Sequence, residues 1–328
     1  MLSSAYAAAA RYHRSYYARR PHLRRALARP VISIGNIAVG GRAKTPLAAY
    51  VASRLREMGE RPAILSRGYG RRDARDGVVV VRDPSGIRAD LDRAGDEPLM
   101  LARQLDGVAV LVCPDRHLAG RLAEHHFGCT VHVLDDGFQH FTLRRDADIV
   151  IVAREDVAGG RTLPAGRLRE PLDVLGAADA IVTLGEADVP GARQPVWRAR
   201  RTLQPVRLLE PSGQSLVPGA RPIVAVAGIA EPARFFADLR DAGWTLAREL
   251  PFRDHHRFSA RDTAAIFEAA RQADAAAVLT TEKDLVRLLP FRPFPIAVGC
   301  APLTLHIDEP QTFDRWLRGR VEAARDRS

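Results

Sequence analysis

Two residue pairs in this chain have types and spacing that could do phosphate chemistry. The stretch from Gly35 to Thr45 reads GNIAVGGRAKT and places Lys44 and Thr45 where a phosphate-binding loop, G-x-x-x-x-G-K-[ST], has its last two members. Ala38 and Ala43 stand where that pattern has glycine. The 49 basic residues include only two lysines, Lys44 and Lys283, so the other 47 are arginine and the chain uses arginine wherever any cation serves. A lysine at position 44 therefore reads as a compact ammonium required among phosphates, a role the broad guanidinium fills poorly. The loop residues Ala38, Val39, Gly40, Gly41, Arg42, Ala43, Lys44 and Thr45 are the expected nucleotide contacts, and Thr45 supplies a hydroxyl suited to Mg2+. Ala43 adds a methyl group where backbone and phosphate must approach, and it resists a dihedral that glycine adopts freely. Weakened nucleotide affinity is the expected cost.

The second pair, Asp135 and Asp136, ends the apolar run VHVLDD. A carboxylate at the carboxyl end of a buried parallel strand, beside a phosphate-loop strand, is placed to hold a metal or its water. Neighbours on an extended chain point oppositely, so one of the two is expected to face the phosphates, and Asp136, nearer the turn, is the choice. In RAGDEPLML, Asp96 and Glu97 taken alone read as a helix cap and first-turn acid. Arg169 and Glu170 sit in the proline-bearing loop RTLPAGRLREP, and charge in a loop is ordinarily solvated. His255 and His256 are adjacent, so they do not share one face, and no cysteine or glutamate stands at zinc-ligand spacing; a proton-handling role suits one of them better. Thr281 reads as a helix cap, with Lys283 either part of that turn or a substrate or inter-domain contact.

The elements that must carry these groups alternate. Strand-like runs are expected at 31–35, 62–66, 78–81, 108–113, 131–136, 148–153 and 180–184, with a helix over 44–58, the pattern of a parallel sheet covered by helices on both faces. The fold class is therefore α/β, P-loop NTPase-like, with a smaller second α/β domain. That domain opens on a strand at 222–229, followed by helices near 231–241 and 261–272. After Gly185 the character changes, and segments such as VWRARRTLQPVRLLEP read as a linker leading into a more antiparallel sheet; the expected division is 1–29 as a basic arm, 30–190 as the phosphate-loop domain and 191–328 as the smaller domain.

At 328 residues and 46% hydrophobic, the chain can fill two cores. Cys113, Cys129 and Cys300 form no C-x-x-C pair, which points to a reducing, cytoplasmic setting. Net charge is +10, and eleven basic side chains precede the first acid, Glu57. Leu2, Tyr6, Ala10, His13 and Tyr17 recur at helical spacing among arginines, without the ~20 apolar residues a spanning helix needs. Such an arm either lies in an anionic lipid surface or packs on its own domain. No nucleic-acid recognition module accompanies it, so nucleic acid is not an expected partner.

Taken in order, PVISIGNIAVGGRAKTP, ILSRGYGRR, GDEP, VLDDGFQH, LPAGRLREP, AGIAEPARFF, FRDHHRFS and TTEKD resemble the tetraacyldisaccharide 4'-kinase family over residues 30–284. The family also lacks glycine at the position of Ala38. It ordinarily has glycine at that of Ala43 and a small or neutral residue at that of Arg42, so those two positions depart from its pattern. The resemblance implies ATP and Mg2+ as cofactors, and an acylated glucosamine disaccharide as substrate, phosphorylated on its 4' hydroxyl at the cytoplasmic face of a bacterial inner membrane. It implies that Lys44 holds the β and γ phosphates and that Thr45 and Glu170 serve Mg2+. Asp96 would be the base, paired with His255 of the other domain, whose imidazolium would orient that carboxylate, and Asp135 and Asp136 would complete the site. Two other readings stand beside it. A regulatory or metallochaperone GTPase would need an N-K-x-D motif, which a chain whose sole asparagine is Asn36 cannot hold. A degenerate paralogue that binds lipid without transferring phosphate is motivated by Ala43.

Overall fold

The structure, a computed structural model, describes residues 2–40, 43–72, 77–210, 215–219 and 221–327. The chain forms two units, Met1–Arg200 together with Leu305–Ser328, and Arg201–Thr304.

In the first unit, helix α1 (Leu2–Ala18) precedes β1 (Val31–Asn36), α2 (Lys44–Glu57) and β2 (Pro62–Ser66). Strands β3 (Val79–Asp83) and β4 (Gly86–Ile87) lead to α3 (Leu91–Ala94), α4 (Asp96–Gln104), β5 (Ala109–Val112), α5 (Arg116–Phe127) and β6 (Val131–Asp135). Then come β7 (Ala147–Ala153), α6 (Arg154–Val157), β8 (Ala180–Leu184) and β9 (Val196–Leu203). Strand β1 lies between β6 and β7, parallel to both, with Ile34 opposite Asp135 and Asn36 opposite Ile151. From β9 through β8, β7, β1, β6 and β2 to β5, neighbours run parallel, while β3 and β4 close the edge antiparallel. Every residue of β1, β2, β6 and β7 is buried, which is why these strands read as continuous apolar runs rather than alternating ones. On α2, Leu47, Ala48, Val51, Ala52 and Leu55 recur at helical spacing on the buried face. Each fully buried Leu, Ile or Phe contributes about 1.5–3 kcal/mol. Gly35 is a position only glycine can fill, since a Cβ there would sit 2.4 Å from Cβ of Phe138.

The second unit builds a separate six-stranded sheet on β10 (Val206–Glu210), β11 (Ser215–Leu216), β12 (Ile223–Ala227), β13 (Leu246–Pro251), β14 (Val278–Thr280) and β15 (Val298–Cys300). Its helices are α7 (Pro232–Asp241), α8 (Ala260–Gln272) and α9 (Glu282–Leu288). Strands β13, β12, β14 and β15 run parallel, and β10 joins them antiparallel. Phe235, Phe236, Leu239 and Trp244 fill one core of this unit, and Phe258, Ile266, Leu285 and Leu288 belong to another.

Beyond β16 (Leu303–Ile307) the chain ends in α10 (Pro310–Arg325). That helix belongs to the first unit. Phe313 is fully buried against Tyr50 and Trp197, and Asp314 bonds Arg54 of α2. The expected linker contains β9, which pairs parallel with β8 in the first sheet. Periodicity could not show this, because pairing partners are a property of the assembled sheet.

Candidate active site

The loop between β1 and α2 folds as a strand-to-helix turn whose helix begins at Lys44. Gly40 has φ 99° and Ala43 has φ 55°. Ala43 thus holds the left-handed conformation that glycine adopts without strain, at a cost of about 1–2 kcal/mol for a residue with a Cβ. Standing at the N-cap, alanine offers no side-chain acceptor, so the first N–H groups of α2 point outward uncapped by a side chain. Gly41 and Arg42 lie outside the described residues.

A second loop splints the first. Ala38 bridges Leu168, the Val39 N–H donates to the Arg167 carbonyl at 2.8 Å, and the Arg169 N–H donates to the Ile37 carbonyl at 2.6 Å. Through this pairing RTLPAGRLREP becomes part of the phosphate loop's wall. Its charges are therefore not merely solvated.

Lys44 Nζ lies 3.7 Å from Asp136 Oδ1, and Thr45 Oγ1 lies 3.4 Å from both carboxylate oxygens of Asp135. Both aspartates face the start of α2, against the expectation that only one would. The physical reason is local: Asp136 has φ 55°, so the alternation of an extended chain stops at Asp135. The two carboxyls have opposite electrostatics. Burial pushes Asp135 up to about 7, with the charges of Glu97 and Asp136 adding to it and Lys44 and Arg116 opposing. Burial also acts to raise Asp136, but Lys44 and a two-pronged bond from Arg169, at 3.2 and 2.9 Å, hold it below the usual carboxylate range. Arg169 also bonds the Asn36 side-chain carbonyl. The Asn36 amide nitrogen, Nδ2, is buried without a hydrogen-bond partner.

Asp96 is buried and is the first residue of α4, with Gly95 at φ 84° as the N-cap, so Asp96 is not the cap it resembled in isolation. Its Oδ1 accepts the Glu97 N–H at 2.9 Å. Glu97 is the neighbour whose charge raises Asp135, which brings the GDEP turn to the same acidic cluster.

Glu170 is buried and bonded by two side chains. Arg14 of α1 reaches it with Nε at 2.8 Å and Nη2 at 2.7 Å, and Gln139 Nε2 donates to it at 2.8 Å. The guanidinium of Arg14 also lies 4.1 Å from the Phe138 ring centroid, with Tyr17 of α1 stacked on Phe141. One face of the arm is therefore docked on its own unit, while Leu2 and Tyr12 stay exposed.

Arg14, Arg169, Gln139 and Arg116 were missed as site residues. Arg116 is a buried guanidinium whose charge is felt by both aspartates. In a chain with 47 arginines its type carried no signal, although the shortage of asparagine did single out Asn36.

His255 and Lys283 belong to the second unit. His255 has φ 57°, its N–H donates to Asp254 Oδ1 at 2.9 Å, and its Nε2 lies 3.1 Å from Lys283 Nζ. Its neighbour His256 turns instead to Asp262, 3.2 Å away, and stacks on Phe252. Thr281 is the expected cap of α9, accepting from the Asp284 N–H.

The oxygen set at Thr45 and Asp135 suits a hard cation that draws its remaining ligands from phosphates and water. No group of three or more His, Cys, Asp or Glu able to hold a metal occurs among the described residues. An uncapped helix start, one ammonium and an unpartnered buried amide fit a polyphosphate.

Residues 1–322 match the family model described as tetraacyldisaccharide-1-P 4'-kinase. A tetraacyldisaccharide 4'-kinase of Geobacter metallireducens is 38% identical over 324 residues, covering 96% of this chain and 95% of the relative. One from Geobacter sulfurreducens is 41% identical over 282 residues, covering 83% of this chain and 78% of the relative. Among solved structures, the "apo" form of LpxK from Aquifex aeolicus in complex with ATP superposes with TM-score 0.80 at 28% identity, covering 98% of this chain and 99% of that one.

Proposed function

From the premise that this chain belongs to the tetraacyldisaccharide-1-P 4'-kinase family, we propose that it transfers the γ-phosphoryl group of ATP to the 4' hydroxyl of an acylated glucosamine disaccharide 1-phosphate. The observation that carries this reading is the start of α2, where Lys44 and Thr45 face Asp136 and Asp135 beneath an uncapped helix end. Phosphoryl transfer asks mainly for positioning and charge neutralisation, and these residues divide that work. Lys44 and the N–H groups of the loop neutralise the β and γ phosphates. Thr45 and Asp135 would help hold Mg2+, whose charge would favour the ionised form of Asp135. Glu170, oriented by Arg14 and Gln139, would be the further carboxylate the resemblance assigns to that ion. Asp136, kept anionic between Lys44 and Arg169, fixes the ammonium's direction.

Asp96 accepts the proton leaving the sugar hydroxyl, a role that rests on the family resemblance. His255 handles a proton with it. That pairing rests on the family resemblance and is read out by a double-mutant cycle on the two residues. The substrate is a lipid, and no helix of the described residues is long and apolar enough to cross a membrane. The exposed Leu2 and Tyr12 of the basic α1 therefore serve as the contact with the cytoplasmic leaflet. A binder without transfer has no observation in its favour, because Ala43 adopts the left-handed conformation the loop requires.

The test is transfer of labelled phosphate from ATP to the 4'-dephosphorylated lipid on mixed micelles. Mg2+-dependent product is expected. An absence of product with substrate and nucleotide both bound would overturn the reading.

A further inference from the structure

Of 49 basic side chains only two are lysines; the first lies in the phosphate loop, and the second, Lys283, sits against a histidine. Its Nζ is 3.1 Å from His255 Nε2 and 3.7 Å from Asp254 Oδ1, and its side chain is largely buried. An ammonium has three donors and no acceptor. At 3.1 Å the ring nitrogen it meets must accept, so Nε2 offers its lone pair and the ring proton sits on Nδ1. The competing arrangement would have Nε2–H donate to Asp254 Oδ1, but that separation is 3.9 Å, beyond hydrogen-bond reach.

The surroundings hold this geometry. His255 is fixed by its left-handed backbone and by its N–H bond to Asp254. Lys283 is fixed on α9, whose first turn is pinned by the Thr281 cap and by the fully buried Asp284, bonded to Arg287 at 2.8 Å. Lys283 from α9 and Asp254 from its own loop are among the charged groups that face His255, whereas Asp262 of α8 serves His256.

We propose that Lys283 is a positioning residue whose donation to Nε2 fixes the ring of His255 with its proton on Nδ1. The inference rests on the reading in which His255 handles a proton, and it changes one part of it. The family resemblance implied an imidazolium orienting the base; here His255 presents an Nδ1–H donor, and a proton reaching the ring would displace the bond from Lys283. A compact ammonium suits this place because it donates along one line to a ring nitrogen, where a planar guanidinium spreads its donors.

The experiment is nitrogen NMR of the full chain carrying labelled histidine, at pH 8, where a free imidazole is already neutral, so that the spectrum reports the tautomer. His255 is assigned from its loss in His255→Gln. The expected result is an Nδ1–H tautomer in the wild type, a return toward the mixture of a free side chain in Lys283→Met, and partial restoration in Lys283→Arg. An Nε2–H tautomer in the wild type overturns the proposal without any variant being needed, as does a Lys283→Met spectrum unchanged in a protein that retains its circular dichroism. In the transfer assay Lys283→Met lowers kcat on the order of ten-fold or more with KM for ATP unchanged. A raised KM with kcat intact makes Lys283 a substrate contact and overturns the positioning role. If the wild type transfers no phosphate at all, the kinase reading falls while the tautomer measurement still decides this one.

Discussion

The phosphate-loop turn after β1 and the turn after β12 start from the same plan and end in opposite states. Each follows a fully buried parallel strand and leads into a helix. After β12 the polar groups are closed off internally: the Gly228 N–H donates to Asp284 Oδ2 at 2.9 Å, Arg287 donates to the Gly228 carbonyl at 2.8 Å, and Asp284 and Arg287 bond each other. After β1 they are left open. Asn36 Nδ2 has no partner, and Asp135 is buried with only a weak bond from Thr45. A turn that satisfies itself is a piece of scaffold, whereas one with buried polar groups left over is built for a ligand that completes it.

Four substitutions would break or sharpen that contrast. The largest effect is expected at Lys44→Ala, which should lower transfer by about 10³-fold or more with the fold retained; wild-type turnover by the variant would remove the phosphate-loop assignment. Next is Asp284→Ala on the closed turn. It removes the buried carboxylate that both Arg287 and the Gly228 N–H bond and should cost about 3–5 kcal/mol in urea denaturation, with ATP affinity unaffected in protein that remains folded. A loss below about 1 kcal/mol would mean that turn is not internally held.

Asp135→Asn on the open turn should do the reverse of Asp284→Ala, ending transfer while stabilising the protein at alkaline pH. The folded-state pKa of Asp135 is raised from 3.8 to about 7. Its carboxyl therefore costs nothing below the unfolded value, costs more as the pH rises between the two, and costs most above 7. Asparagine removes that cost, so thermal unfolding at pH 8 should rise by a few degrees, on the order of 1–3 kcal/mol, and at pH 3.5 should not change. An equal shift at both pH values would contradict the electrostatic origin. The smallest effect is expected at Ala43→Gly, which relieves the left-handed strain of φ 55°. It should tighten ATP binding a few-fold and add about 1 kcal/mol of stability, read by calorimetry and melting; weaker binding would show that the methyl group supports the loop.

Much of this was legible before any coordinates. The strands predicted at 62–66 and 180–184 are observed at those positions, and the helix predicted over 44–58 is observed as Lys44–Glu57. Continuous apolar runs and helical spacing are local signals that burial on both faces of a parallel sheet enforces. The composition also marked Lys44, Lys283 and Asn36, since a residue type the chain otherwise avoids is informative wherever it occurs.

What a linear reading determined, then, was fold class, family and the positions of the chemistry-bearing motifs, because these depend on periodicity and on short segments. Three matters were decided only by the tertiary structure: that Asp135 and Asp136 converge, that Arg14 from the start of the chain claims Glu170, and that α10 returns to the first unit. Each depends on a single backbone dihedral or on contacts between residues more than 90 positions apart, and a buried charge takes its partner from whatever the fold brings within 3 Å of it.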